Sequence, residues 1–318
     1  MRVTFYGTRG STPTARADQR RFGGNTTCLR VESDCIPDGW GIVVDSGSGF
    51  TQLSHDLISS HPQLCVLYTH YHHDHTQGIF LAPHVFAPHA SMRLYGPHEH
   101  DIGPKEVMER LFHQPLFPVE YAMVSRQIVC RNLKHIGTQV LVVHPEAGFH
   151  VLPIAKYHNA VEDGDQLSLG TRRESVRDCL VITMFKTVHP EYTVSYRFNE
   201  MPTGKQFVFL TDHENTAGIP KELGRHVADA DLLVQDAQYS KEVYLARTAG
   251  FGHGTPEYCA ILALSGRVKR LGLTHHDPTA DDSTVETRVY EAERYRQEND
   301  NGILQEVFGC ADNMLIEV

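Results

Sequence analysis

His70, His72, Asp74 and His75 offer four metal ligands within six residues, in the order His-x-His-x-Asp-His. Imidazole nitrogen and carboxylate oxygen are the donors that divalent transition-metal ions take. An apolar run, Cys65 to Tyr68, precedes the motif, and Thr76-Gln77-Gly78 follows it, giving the order strand, ligand loop, helix start. Side chains at i and i+2 of an extended segment point the same way, so His70 and His72 face one position. The loop then turns Asp74 and His75 toward a second position nearby. Two metals sharing one loop is the simplest arrangement that uses all four donors. A solvated histidine-rich loop is the bland alternative in a chain with 21 histidines, but the placed Asp and the spacing argue against composition alone.

The motif resembles the signature of the metallo-β-lactamase superfamily, which binds a dinuclear metal centre. Two early segments, Gly7-Thr8-Arg9-Gly10-Ser11-Thr12-Pro13 and Phe22-Gly23-Gly24-Asn25-Thr26-Thr27-Cys28, narrow the resemblance, together with the turn Asp45-Ser46-Gly47. They look like the phosphodiesterase-type branch, the group containing tRNase Z and the phosphonate-pathway cyclic phosphodiesterase. The resemblance implies an α/β layered αββα sandwich, two packed mixed sheets with helices outside. It also implies three further ligands, and His189, Asp212 and His275 each stand just beyond an apolar run in the right order. By the family pattern His70, His72 and His189 hold one metal, Asp74, His75 and His275 hold the other, and Asp212 bridges them. Such a donor set suits two Zn²⁺ ions first, with Mn²⁺ or Fe²⁺ as alternatives. In Thr274-His275-His276-Asp277 the pattern selects His275 and leaves His276 to support the ligand or to face substrate.

The chemistry implied is attack on phosphorus by a hydroxide held between the two cations, with Asp74 counted among the catalytic residues as well as the ligands. His253, in Gly252-His253-Gly254-Thr255 at a helix start, resembles the His-Ser-Thr motif of tRNase Z-like enzymes, where it protonates the leaving group. Asp236 stands where that family places an acidic orienting partner. A carboxylate on one imidazole nitrogen fixes the tautomer and raises basicity. The helix dipole opposes the imidazolium by only about 0.3–1 kcal/mol. A histidine capping the helix is the structural alternative. Asp45, ending a buried strand, is expected behind the metals, bonded to a ligand or a loop amide; a plain Asp-Gly turn is its alternative. Arg9 and Asn25 are expected at the mouth as substrate contacts, although loop arginines are often simply solvated.

The elements that position these residues fall in two groups, near 3–70 and near 180–318. Strands are expected at 3–8, 28–32, 41–44, 65–70, 180–188, 193–198, 206–211, 232–235, 270–274, 303–307 and 314–318. Helices are expected at 51–61, 221–228, 255–265 and 282–299, the third with Thr255 as N-cap, Pro256 at its first position and Gly266 as its stop. Between 80 and 178 only strands at 92–96 and 139–143 and a helix at 104–113 are legible. That region is expected as a family-variable insertion within a single domain, 1–318. No repeat, linker or low-complexity tract interrupts the chain.

With 41% hydrophobic residues the chain can bury a sizeable core. A net charge of −10 and the absence of a long Lys/Arg run argue against affinity built on many phosphates of a long nucleic acid. The basic residues of 80–178, such as Lys105, Arg110 and Arg131, are balanced by Glu99, Glu106, Glu109 and others, so no basic tRNA-clamping arm is visible. Seven scattered cysteines without a Cys-x-x-Cys pair fit a reducing compartment. The first residues enter a strand pattern directly, without the apolar core of a signal peptide, and no apolar run approaches membrane length. The expectation is a cytoplasmic metallo-hydrolase, a phosphodiesterase acting on a small anionic or cyclic phosphodiester, with cyclic nucleotides within that class. The alternatives are a tRNase Z-like endoribonuclease, a lactone or thioester hydrolase on the same metals, and a non-catalytic metal-stabilised scaffold. A homodimer is compatible with the resemblance, though no interface stripe is legible.

Overall fold

Continuous apolar runs such as Ile42-Val43-Val44 and Leu64-Cys65-Val66-Leu67 form strands buried on both faces, the pattern of parallel strands covered on each side. The computed structural model, which describes residues 1–318, arranges them in two large sheets. The first contains β1 (Arg2–Gly7), β2 (Cys28–Glu32), β3 (Trp40–Val44), β4 (Gln63–Leu67), β5 (Ser91–Pro97), β6 (Ile128–Leu133) and β17 (Leu315–Glu317), in the order β17-β1-β2-β3-β4-β5-β6. The second contains β7 (Gln139–His144), β8 (Gly148–Pro153), β11 (Leu180–Lys186), β12 (Val194–Glu200), β13 (Lys205–Leu210), β14 (Leu232–Asp236), β15 (Arg270–Thr274) and β16 (Glu306–Gly309). Its order is β16-β15-β14-β13-β12-β11-β7-β8, and β9 (Gln166–Leu169) pairs β10 (Arg172–Ser175) as a separate hairpin.

The sheets pack face to face. Phe5, Val44 and Leu67 of the first meet Ile182, Phe198, Phe207 and Val234 of the second in one buried cluster. The helix Phe50–Leu57 covers the outside of the first sheet through Phe50, Leu53 and Leu57. Helices Pro256–Ser265 and Asp282–Glu298 cover the second, through residues such as Cys259, Leu262 and Ala292. The result is the αββα layering expected from the resemblance. The Thr255 hydroxyl accepts from the Tyr258 amide and caps the helix as its sequence requires.

The stretch 80–178 contributes to both sheets, with strands where 92–96 and 139–143 were expected: β5 and β6 extend the first sheet in parallel, and β7 and β8 finish the second. The chain crosses from one sheet to the other inside this stretch. The penultimate strand also shifts, from the expected 303–307 to Glu306–Gly309.

What matters for the site is strand direction. β3 and β4 are parallel, β13, β14 and β15 are parallel, and β11 runs with β13 because both are antiparallel to β12. The carboxyl ends of these strands therefore gather at one rim, the usual place for a ligand site in such sheets.

Candidate metal centre

Each chemically interesting residue follows the end of one of these strands. Asp45 follows β3, His70 lies just past β4, His189 past β11, Asp212 past β13 and His275 past β15, while Asp236 is the last residue of β14. Asp45, Asp212 and His275 all take the left-handed backbone region, with φ of 58°, 49° and 58°. Non-glycine residues held there cost of order 1–3 kcal/mol each and persist where the surroundings over-determine them.

The ligand atoms converge in two sets. His70, His72, His189 and Asp212 form one, and Asp74, His75 and His275 form the other, with the donor atoms of each set within 4.8 Å of one another. Asp212 stands between them. Its Oδ1 lies 3.4 Å from both His75 Nε2 and His275 Nε2, and its Oδ2 lies 3.6 Å from His70 Nε2 and 3.9 Å from His189 Nε2. Asp74 Oδ2 is 3.2 Å from His275 Nε2 and 3.4 Å from His75 Nε2.

The donor set fits divalent metal ions. Nε2 of His70, His75 and His189 is buried with no hydrogen-bond partner. Unsatisfied buried polar atoms cost about 1–3 kcal/mol each. Three in one place are expensive for a fold with about 5–15 kcal/mol of net stability, unless a cation takes their lone pairs.

Electrostatics divides the two sets. Burial lowers the pKa of His70, His72 and His189, with neighbouring imidazoles adding to the effect, so these rings are neutral donors. Burial opposes charge on His75 and His275 as well, but the carboxylates around them prevail. Asp74, Asp212 and Asp45 hold His75 well above its usual value, and Asp212, Asp236 and Asp74 bring His275 up to about 9. Burial likewise works against the charge of Asp74 and Asp212, yet the facing imidazoles hold both carboxyls below the usual range.

Supporting bonds orient the rings. His75 Nδ1 donates to Asp45 Oδ2 at 2.8 Å, and Asp45 is itself held by the Thr69 amide at 2.7 Å and the Thr69 hydroxyl at 2.8 Å. His189 Nδ1 donates to the Gly252 carbonyl at 3.0 Å. The Ser11 amide donates to Asp74 Oδ2 at 2.7 Å. Ligand histidines whose second nitrogen is engaged in this way present the first in a fixed direction. His253 Nδ1 donates to Asp236 Oδ2 at 2.7 Å, and the His253 ring stacks on His275 with centroids 4.9 Å apart.

Three expected substrate contacts are corrected. Arg9 is fully buried, and its guanidinium donates to the carbonyls of Gly23, Asp277 and Ala280 at 2.8, 3.0 and 2.8 Å. It ties the early loop to the segment after β15. His276 is buried too, pushed down to about 3 by that burial, and its Nε2 donates to the Cys310 carbonyl at 2.9 Å. Asn25 faces Ser48, whose hydroxyl donates to its amide oxygen at 3.1 Å, and does not line the cleft. The cleft over the metal sets, 390 Å³, is instead lined by Ser11, Tyr71, His72, His73, His253 and their neighbours.

Thr69, Ser11 and Glu214 are residues that sequence reasoning passed over. Glu214 accepts from the amides of Gly250 and Gly252 at 2.5 and 2.9 Å and from the Tyr244 hydroxyl at 2.7 Å, fixing the loop that carries His253. Its place two residues after Asp212 was the available signal.

A face-to-face pair of sheets with seven His and Asp donors at their common rim defines a metallo-hydrolase. The chain belongs to the beta-lactamase superfamily domain family, whose model matches residues 33–276. Ribonuclease Z of Sulfurisphaera tokodaii is 25% identical over 296 residues, covering 88% of this chain and 89% of that protein. Yeast PDE1 superposes with a TM-score of 0.65 at 12% identity, over 100% of this chain and 99% of that one. The short form of human tRNase Z does so at 0.61 and 18%, over 100% and 99%. The likeness to these two structures is one of fold.

Proposed function

We propose that the protein is a dinuclear metal-dependent phosphodiesterase acting on a small phosphodiester, with a cyclic nucleotide within that class. The observation that carries this is Asp212, whose two oxygens face two different sets of imidazole nitrogens. His70, His72 and His189 would hold one cation, Asp74, His75 and His275 the other, and Asp212 would be shared. Zinc is the first choice for so nitrogen-rich a set, and Mn²⁺ or Fe²⁺ the alternatives. Divalent ions so held lower the pKa of water from 15.7 to about 7 and stabilise charge on a phosphoryl group.

The chain's own residues do the rest. Asp45 and the Gly252 carbonyl fix the rings of His75 and His189. Asp236 accepts a hydrogen bond from His253 Nδ1–H and so favours the doubly protonated ring, whose Nε2–H would pass to the departing oxygen and leave a neutral imidazole, a service worth about 10²–10⁴-fold. A lactone or thioester hydrolase has less use for such a donor, which favours phosphodiester cleavage.

Charge supports a small substrate, since the chain carries −10 and no basic arm. A cytoplasmic setting belongs to the same reading, supported by seven unpaired cysteines. No helix is long and apolar enough to cross a membrane. The whole chain acts as one domain in this account, because the ligands come from both sheets. The name of the Sulfurisphaera relative favours a second reading, a tRNA-processing endoribonuclease. The test is a panel presented to zinc- and manganese-loaded protein: bis(p-nitrophenyl) phosphate, cyclic nucleotides, a tRNA precursor, a lactone and a thioester. Preferential turnover of the small phosphodiesters is expected, and preferential turnover of the tRNA precursor or the acyl compounds overturns the proposal.

A further inference from the structure

We infer that a second cavity, 440 Å³ and beside His70 and His72, binds one uncharged planar ring carried on the ester arm that the substrate retains. This rests on the phosphodiesterase reading above. The cavity shares Tyr71, His72 and His73 with the cleft over the metal sets, so the two are immediate neighbours. Their linings differ in balance. Aliphatic side chains are missing from the cleft, whereas Ile102, Val107, Leu111 and Leu116 join the rings of Tyr71 and Tyr192 and several histidines around the second cavity.

The Tyr71 hydroxyl already donates to the Pro97 carbonyl at 2.7 Å, so what Tyr71 has left to offer a ligand is its ring. Leu116 is 76% exposed at this cavity, and an entering ring would remove apolar surface of both partners from water. Arg110 lies at the rim without an ion-pair partner, and a guanidinium stacks readily on a planar ring. Glu99 and Glu191 share that rim and oppose a second phosphate, which disfavours a polynucleotide running through. The volume lies in the lower part of the ~300–1,000 Å³ range of small-molecule pockets. A single ring system suits it.

His253 lines the metal cleft and not this cavity. In an acyclic phosphodiester the departing oxygen at His253 and the ring beside His72 therefore belong to different arms; in a cyclic one both belong to the same sugar, and the ring marks the side of the ester bond that is kept. The cavity would select the arm that stays on the phosphate, independently of the leaving group.

Two probes share an anionic head and differ in the ring: phenylphosphonate and methylphosphonate. Calorimetric titration of metal-loaded protein should give phenylphosphonate an affinity about tenfold or more above methylphosphonate. In Leu116→Asp, and in Ile102→Ala as a milder variant, the preference should fall below about threefold while methylphosphonate binding stays unchanged. Equal affinities in the wild type, or a preference untouched by both variants, overturn the inference. Turnover of bis(p-nitrophenyl) phosphate is measured on the same samples. Ring preference without turnover removes the phosphodiester reading and leaves a ring pocket, while turnover without ring preference does the reverse.

Discussion

Asp236 Oδ2 and His253 Nδ1 are 2.7 Å apart, joining the last residue of β14 to the loop before the Pro256–Ser265 helix. The pair predicts a dependence on the leaving group. His253→Ala and Asp236→Asn should each lower kcat by about 10²–10⁴-fold on alkyl esters, whose alkoxide needs a proton. The loss should be much smaller with p-nitrophenyl esters, which leave as a stabilised anion. Steady-state kinetics on a matched ester series reads this directly. Equal losses across the series would show that His253 serves the fold and not the leaving group.

Asp45 touches the centre only through His75, at 2.8 Å, and through Thr69. Asp45→Asn keeps the shape and removes the charge. Metal affinity should fall about 10–100-fold, as for other residues that support a ligand ring. Competition with a chromophoric chelator measures it, and an unchanged affinity would demote Asp45 to a turn residue.

Two glycines make room for ligand rings. A Cβ on Gly10 would stand 2.3 Å from His275 Nδ1, and one on Gly252, where φ is +90°, would stand 2.0 Å from His189 Nδ1. Gly10→Ala and Gly252→Ala should each lower bound metal, read by elemental analysis. Gly224→Ala is the control, because its Cβ would meet only Ile219 Cγ2, at 3.6 Å, far from the centre.

His226 gives an acid limit away from the centre. Its Nε2 donates to the Ser195 hydroxyl at 2.8 Å, since that hydroxyl spends its proton on the Phe209 carbonyl. Burial, with Arg197 adding to it, pushes His226 down to about 3 from the usual 6.5. The folded state keeps it neutral while the unfolded chain takes a proton. Stability from this residue is therefore present above pH 6.5 and lost as pH falls toward 3, by up to about 1.4 kcal/mol per pH unit. His226→Gln keeps the donor and should flatten the fall of Tm between pH 6.5 and 4.

The donor cluster was legible because His70, His189, Asp212 and His275 each sit one to three residues beyond an apolar strand, His72, Asp74 and His75 follow His70 in one motif, and parallel strands deliver such residues to one rim. Arg9 and His276 were misread because what surrounds them is remote in sequence. The carbonyls of Asp277, Ala280 and Cys310 claim their donors, and nothing local in the Gly7–Pro13 loop announces that burial. Within 80–178, β5 and β7 were legible, but β6 and β8 were hidden for a related reason. β6 carries Arg131 and Asn132 exposed on an edge, and its register is set by β5. Long-range pairing decided those strands, and periodicity had no purchase on them.

The central claim is that Asp212 joins two cations into one hydrolytic centre. The most direct measurement is metal content and bis(p-nitrophenyl) phosphate turnover for wild type and Asp212→Ala, loaded with zinc or manganese. The account predicts about two ions per wild-type chain, with fewer bound and turnover down at least about a hundredfold in the variant. Wild type holding two ions without turnover, or Asp212→Ala keeping both ions and full rate, would contradict it.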